Sequence, residues 1–233
     1  MAALYLIPNT LGESELDKIL PTANTQIIRD IKHFIVEDIR NTRRFLKKND
    51  RNIDIDTLQF YELNKHSDPR IIGEYLAPIK QGMDVGIISE AGCPGVADPG
   101  ADVVRIAHQL GIEVRPLVGP SSIILAMMAS GLNGQNFAFV GYIPIQKQER
   151  IKRLKDLEAR AIAEKQTQLF IETPYRNTAL FDDILASCRP ETLVCVARGL
   201  TTADEFVRTM PVSKWRNKKP VFDKQPTIFL IGV

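Results

Sequence analysis

The chain lacks most features that assign a chemistry on sight. Its 233 residues hold only three cysteines, Cys93, Cys188 and Cys195. An odd number with no C-x-x-C spacing excludes a disulfide framework and a thiol redox or metal motif, and fits a reducing compartment. The three histidines, His33, His66 and His108, have neither H-x-x-x-H spacing nor cysteine neighbours, so no metal site is expected. No GxxxxGK[ST] or GxGxxG is present, which disfavours phosphate-cradling ATPases and dinucleotide dehydrogenases, and no G-x-S-x-G elbow marks a serine hydrolase. Apolar runs all fall short of the about 18 residues that would span a membrane, and the start, M-A-A-L-Y-L-I-P, lacks a basic leader and apolar core. The expectation is a cytoplasmic chain with no membrane partner. Charge of one sign is missing too: 30 Lys and Arg against 28 acids leave a net +2, so any polyanion partner must be met by a local cluster.

What is present is an ordinary globular composition, 44% apolar and 25% charged, long enough for one large domain or two small ones. It centres on residues 84–100, D-V-G-I-I-S-E-A-G-C-P-G-V-A-D-P-G. A short apolar run there gives way to a loop rich in glycine and proline, and Asp98-Pro99 reads as the cap and first turn of a helix. A strand whose carboxyl end opens into such a loop before a helix is where open α/β sheets bind small ligands.

The same cadence runs along the chain. Strands are expected at 4–7, 33–36, 58–63, 85–89 and 114–118, with helices at 24–32, 37–48, 69–81, 101–110 and 123–129 between and after them. Further strands are expected at 136–143, 167–171, 193–197 and 226–231, with helices at 146–165 and 177–186. The fold class is therefore α/β, with domains assigned to 1–119 and 120–233.

The strand-end loops carry a resemblance. L-Y-L-I-P at 4–8, V-E-D-I-R-N-T-R at 36–43, Y-E-L-N at 61–64 and S-E-A-G-C-P-G-V-A-D-P-G at 89–100 are followed by G-P-S-S at 119–122 and A-S-G-L at 129–132. F-V-G-Y-I-P at 139–144, E-T-P-Y-R at 172–176 and A-R-G-L-T at 197–201 complete the series. In this order they resemble the tetrapyrrole-methylase family of S-adenosylmethionine-dependent methyltransferases, and within it the bacterial branch that methylates a ribose 2′-hydroxyl of small-subunit ribosomal RNA. The resemblance implies two α/β domains with a cofactor cleft between them, S-adenosyl-L-methionine as cofactor, and a homodimer. By position it implies a cofactor wall of Pro8, Glu90, Ala91, Gly92, Cys93, Pro94, Ser121 and Ser122, with Phe170, Glu172, Ala197 and Thr227 from the second domain. The chain departs from the family where the first loop is shortened to P-N-T-L-G-E, and at Glu90, Tyr175 and Gly199, where aspartate, histidine and glutamate are usual.

Methyl transfer from a sulfonium is an in-line displacement, and an alcohol acceptor must also lose its proton, which calls for a carboxylate within hydrogen-bond reach. Glu37, Asp38 and Glu62 are the catalytic candidates, with Glu172 a further carboxylate that could take the proton. The alternative for Glu37 and Asp38 is a helix cap, and for Glu62 an ion pair with Lys65 or Arg40. Arg40, Arg43, Arg44, Lys47 and Lys48 form a basic run with helical spacing, the candidate RNA-binding face; a solvated helix surface is the plainer alternative. Ribosomal RNA or the small ribosomal subunit is the expected partner. A methylase of a tetrapyrrole or another small acidic metabolite, and an inactive cofactor-binding regulator, are the competing readings.

Overall fold

The computed structural model describes residues 2–63, 68–222 and 224–233. Asn64 of the Y-E-L-N stretch, Lys65 as a partner for Glu62, and His66 lie outside the described residues. The chain divides into two compact units, Met1–Ser121 and Ser122–Val233.

The first unit follows the order β1 (Ala3–Ile7), α1 (Leu16–Ile19), α2 (Thr22–Asp30), β2 (His33–Val36), α3 (Ile39–Asn49), β3 (Gln59–Glu62), α4 (Pro69–Tyr75), α5 (Ala77–Lys80), β4 (Val85–Ile88), α6 (Gly100–Gln109) and β5 (Glu113–Pro116). Its five strands are all parallel, in the order β3-β2-β4-β1-β5. Parallel strands are covered on both faces, which is why β1, β2 and β4 read as apolar runs without alternation. Ile7, Phe34, Val36 and Ile88 pack toward α2 and α3. Leu4, Ile35, Val85 and Ile87 pack on the opposite face, toward α4, α5 and α6. Gly86 is needed between these layers, because a Cβ there would sit 2.7 Å from Ile7 Cδ1. The chain builds β1, β2 and β3 outward, then returns to insert β4 between β2 and β1 and adds β5 beyond β1. The direction of strand order thus reverses around β1 and β4, the place where such sheets leave a crevice at their carboxyl ends.

The second unit comprises α7 (Ser122–Ser130), β6 (Phe137–Tyr142), α8 (Lys147–Glu164), β7 (Thr167–Glu172), α9 (Asn177–Ser187), β8 (Leu193–Arg198), β9 (Phe206–Pro211), α10 (Val212–Trp215) and β10 (Thr227–Gly232). Its sheet has the order β6-β7-β10-β8-β9 and is mixed: β6 and β7 run parallel, and the other neighbours are antiparallel. One core joins Leu154 and Leu157 of α8, Phe181 and Ile184 of α9 and Trp215 of α10 to Phe170, Val196 and Phe229 of the sheet. The Trp215 indole donates to the Val194 carbonyl (2.9 Å), and its ring meets Phe181 edge-on. A buried guanidinium, Arg150 of α8, holds Asp183 of α9 at 2.8 and 2.6 Å.

Several elements differ from the sequence reading. The helix expected over 69–81 is two, α4 and α5, because Pro78 has no N–H to continue the ladder across Leu76. Strand β9 is absent from the reading: F-V-R-T-M-P neither alternates cleanly nor forms an apolar run, since it is a half-exposed edge strand ending in proline. The strand over 136–143 carries a bulge at Gly141 (φ +70°) between Phe139 and Tyr142. Helix α6 starts at Gly100 with Pro99 in the capping position, and the Asp98 carboxylate instead accepts from the N–H groups of Gly95 and Gly100 at 3.0 and 2.7 Å.

Candidate functional site

At the carboxyl edge of the first sheet, three loops that are far apart in sequence are tied together. The loop after β1 forms a small antiparallel bridge with the loop after β4: Asn9 N–H donates to the Gly92 carbonyl at 2.9 Å and Gly92 N–H returns to the Asn9 carbonyl at 3.2 Å. The Asn9 side-chain amide also donates to the carbonyls of Ser89 and Glu90 at 3.1 and 3.3 Å. Ser89 Oγ donates to the Gly92 carbonyl at 2.9 Å, closing the turn from inside. The loop after β5 joins through Cys93, whose Sγ lies 3.3 Å from the Pro120 carbonyl. Gly119 passes so close to Pro8 that a Cβ would fall 2.2 Å from the ring. Pro8, Ala91, Gly92, Cys93, Pro94 and Ser121 all stand in these stitched turns; Gly92 holds φ +70°, and Ala97 takes φ +58° in the same loop, a conformation that disfavours side chains.

Acidic groups gather beside these loops. Glu90, exposed, accepts from the Asn41 side-chain amide of α3 at 2.8 Å. Glu37 follows β2 directly, half-buried, with Asp98 within hydrogen-bonding reach and Glu90 nearby. Burial, then the bond to Asp98 and its charge, push the Glu37 carboxyl up to about 7. A carboxyl held there is half ionised near neutral pH, which suits a group that must accept a proton from a hydroxyl. Asp38 acts as the cap of α3, accepting from Asn41 N–H at 2.8 Å. Glu62 ends the outer strand β3 with an exposed side chain and takes no part in the cluster around Glu37.

The basic run lies along one side of α3, opposite Thr42, Phe45 and Leu46, which face the core. Arg40, Arg43, Arg44, Lys47 and Lys48 are all exposed, and none pairs with an acid among the described residues. Arg43 lies over the Phe60 ring (5.4 Å to the centroid), and Lys48 Nζ donates to the Ser14 carbonyl at 2.6 Å.

In the second unit, Glu172, Thr227 and Arg198 stand side by side across β7, β10 and β8. Glu172 is buried; one of its oxygens accepts from Thr173 N–H at 2.7 Å and from the Arg176 guanidinium at 2.6 Å. Burial pushes its carboxyl up, but these bonds outweigh it and hold it below the usual range. Asn177, fully buried at the start of α9, donates to the Thr227 hydroxyl and the Gln225 carbonyl. Glu172 Oε2 and Asn177 Oδ1 are buried acceptors with no donor in the described structure. Such groups cost roughly 1–3 kcal/mol each unless something supplies a hydrogen bond. Ser122 opens α7 and is half-buried. Ala197 lies inside β8, almost without exposed surface. Phe170, expected in the cofactor wall, has a wholly buried ring stacked on Phe229. No local sequence signal marks Asn9, Asn41, Asp98 or Asn177 as site residues. Asn9 and Asp98 lay in the flagged loops, but single Asn and Asp residues in turns usually serve the turn itself.

Among the described residues, no group of three or more His, Cys, Asp or Glu is placed to hold a metal ion. Likewise, no helix of the described chain is long and apolar enough to cross a membrane.

Residues 17–215 match the tetrapyrrole (corrin/porphyrin) methylases. The ribosomal RNA small subunit methyltransferase I of Escherichia coli O157:H7 is 30% identical over 91% of this chain and 70% of its own. Its namesake from Bacillus subtilis strain 168 is 30% identical over 95% and 72%. Among solved structures, the methyltransferase CobJ superposes with a TM-score of 0.65 at 16% identity, covering 100% of this chain and 94% of its own. Uroporphyrin-III C-methyltransferase from Thermus thermophilus, complexed with S-adenosyl homocysteine, gives 0.57 at 16% identity over 99% and 97%. These last two share the fold. The chain is a methyltransferase belonging to the tetrapyrrole (corrin/porphyrin) methylase family.

Proposed function

We propose that the chain transfers the methyl group of S-adenosylmethionine to a ribose 2′-hydroxyl of small-subunit ribosomal RNA. The observation that carries the acceptor is the 30% identity, over most of both chains, to proteins named for that RNA. A tetrapyrrole acceptor has behind it the family's descriptive name and structures 13–16% identical, which share a fold and no more.

The donor supplies an electrophilic methyl carbon on a sulfonium. The residues present fit such a molecule: Glu172 Oε2 and Asn177 Oδ1 are acceptors in want of donors, and a nucleoside carrying amino groups provides them. In the first unit the turns at Pro8, Glu90, Ala91, Gly92, Cys93, Pro94 and Ser121 offer closely approachable backbone, and in the second unit Ser122, Glu172, Ala197 and Thr227 are the residues that the family resemblance assigns to the donor. The acceptor oxygen attacks in line as the carbon–sulfur bond breaks, and its proton passes to Glu37, whose carboxyl is poised near neutral pH. Burial first and Asp98 second raise that carboxyl, Asp38 holds the start of α3, and the basic side of α3 tracks RNA phosphates. The protein acts as a cytoplasmic homodimer; the outward apolar residues Ile124 and Met128 of α7, 47% and 75% exposed, support a self-contact.

The test is transfer of labelled methyl from S-adenosylmethionine to small ribosomal subunits purified from cells lacking the gene. Label on a single ribose 2′-oxygen is expected. Label on neither subunits nor free RNA removes the proposal.

A further inference from the structure

Two of the three large aromatic side chains that the described chain leaves exposed lie at one end of the second sheet. Tyr142 is the last residue of β6 and is 62% exposed. Tyr175 sits in the short turn after β7 and is 79% exposed. Because β6 and β7 are parallel, both rings stand at the carboxyl ends of neighbouring strands. Strand β10 runs the other way, so Lys224, just before it, reaches the same edge and lies 5.3 Å above the Tyr175 ring centroid. Arg176 follows Tyr175 and lies near the Tyr142 side chain. Among the described residues of this edge, Glu172 is engaged by Arg176.

Neither tyrosine packs into the core cluster, and neither hydroxyl makes a hydrogen bond among the described residues. Tyr5, Tyr61 and Tyr75, by contrast, are half-buried, with rings stacked on neighbours or lying under Arg115. Flat rings set beside cations match the chemistry of an unpaired nucleic-acid strand: bases have π-faces to stack, and phosphates to pair with lysine and arginine. The edge is also the one that carries Glu172 and Thr227, proposed above to hold the methyl donor.

We propose that Tyr142 and Tyr175 form a stacking platform for unpaired bases beside the methylated nucleotide, with Lys224 and Arg176 neutralising the adjoining phosphates. The inference rests on the RNA reading above and names where the second unit grips that substrate. The tyrosines bind and position the acceptor; they do not touch the proton that is lost.

Tyr142→Ala, Tyr175→Ala and the two Tyr→Phe variants are compared with wild type on small ribosomal subunits, with S-adenosyl homocysteine binding followed by calorimetry. Each alanine variant is expected to raise KM for the subunit roughly 5- to 100-fold, the range set by loss of one base-stacking contact. Affinity for S-adenosyl homocysteine stays at the wild-type value and phenylalanine restores KM, since the ring and not the hydroxyl does the stacking. Thermal melting separates a folding defect from lost contact. If wild type labels the subunit and the alanine variants keep its KM, or phenylalanine fails to restore it, the platform is wrong and the RNA reading survives. If wild type labels no RNA, the RNA reading falls and the platform with it.

Discussion

The Glu37 carboxyl offers the sharpest test of the chemistry. An ordinary glutamate titrates near 4.5, so it is almost fully ionised at pH 6 and a rate that depends on it is flat above that pH. With the midpoint at about 7, the ionised fraction is near one tenth at pH 6 and nine tenths at pH 8, so kcat/KM should climb about tenfold across that interval and then level. Replacing Asp98 with asparagine removes the charge and exchanges the carboxyl–carboxyl hydrogen bond for an amide that can donate to ionised Glu37, so the second and third causes fall away and burial, the first, remains. The rise should therefore shift to lower pH without returning to 4.5. Glu37→Gln should lower kcat by about 10²- to 10⁴-fold and abolish the rise. The assay is initial methylation rate against pH on ribosomal subunits at saturating donor. A flat wild-type profile between pH 6 and 8, or near-normal turnover in Glu37→Gln, refutes the assignment. Stability carries the same signature with a fixed sign. A carboxyl whose midpoint is raised on folding favours the folded state most below 4.5 and loses that contribution as pH rises through about 7. Glu37→Gln should then gain stability relative to wild type at pH 8, compared with pH 4, in urea melts.

Gly119→Ala should destabilise the chain by about 1–3 kcal/mol or more in urea unfolding, because its Cβ would fall 2.2 Å from a proline ring that cannot rotate away. Arg150→Ala should cost up to about 3–5 kcal/mol by leaving the buried Asp183 carboxylate with only the exposed Lys147 ammonium, 3.8 Å away, as its cation, and replacing Arg150 and Asp183 with apolar residues should recover much of that loss. The double variant Arg44→Ala/Lys47→Ala should weaken RNA binding and flatten its dependence on log salt by about 1–2 units in a filter-binding titration; an unchanged slope would return the helix to a plain solvated face.

What the sequence determined by itself was the set of elements whose signals are local. β1, β2 and β4 are buried on both faces, so each is an apolar run, and the loops at their ends announce themselves with glycine and proline. Helix α3 shows its apolar face and capping aspartate directly, and the order of the loop motifs was enough to point to the family. What depended on the tertiary structure is which distant residues meet. The bridge between Asn9 and Gly92, the carboxyls of Glu37 and Asp98, and the orphaned acceptors of Glu172 and Asn177 each depend on strand order, which a one-dimensional pattern does not contain. The antiparallel β9 and the core position of Phe170 belong to the same class. An edge strand is specified by its partner, and a phenylalanine reads alike in a pocket wall and in a packed interior, until the sheet decides which side it faces.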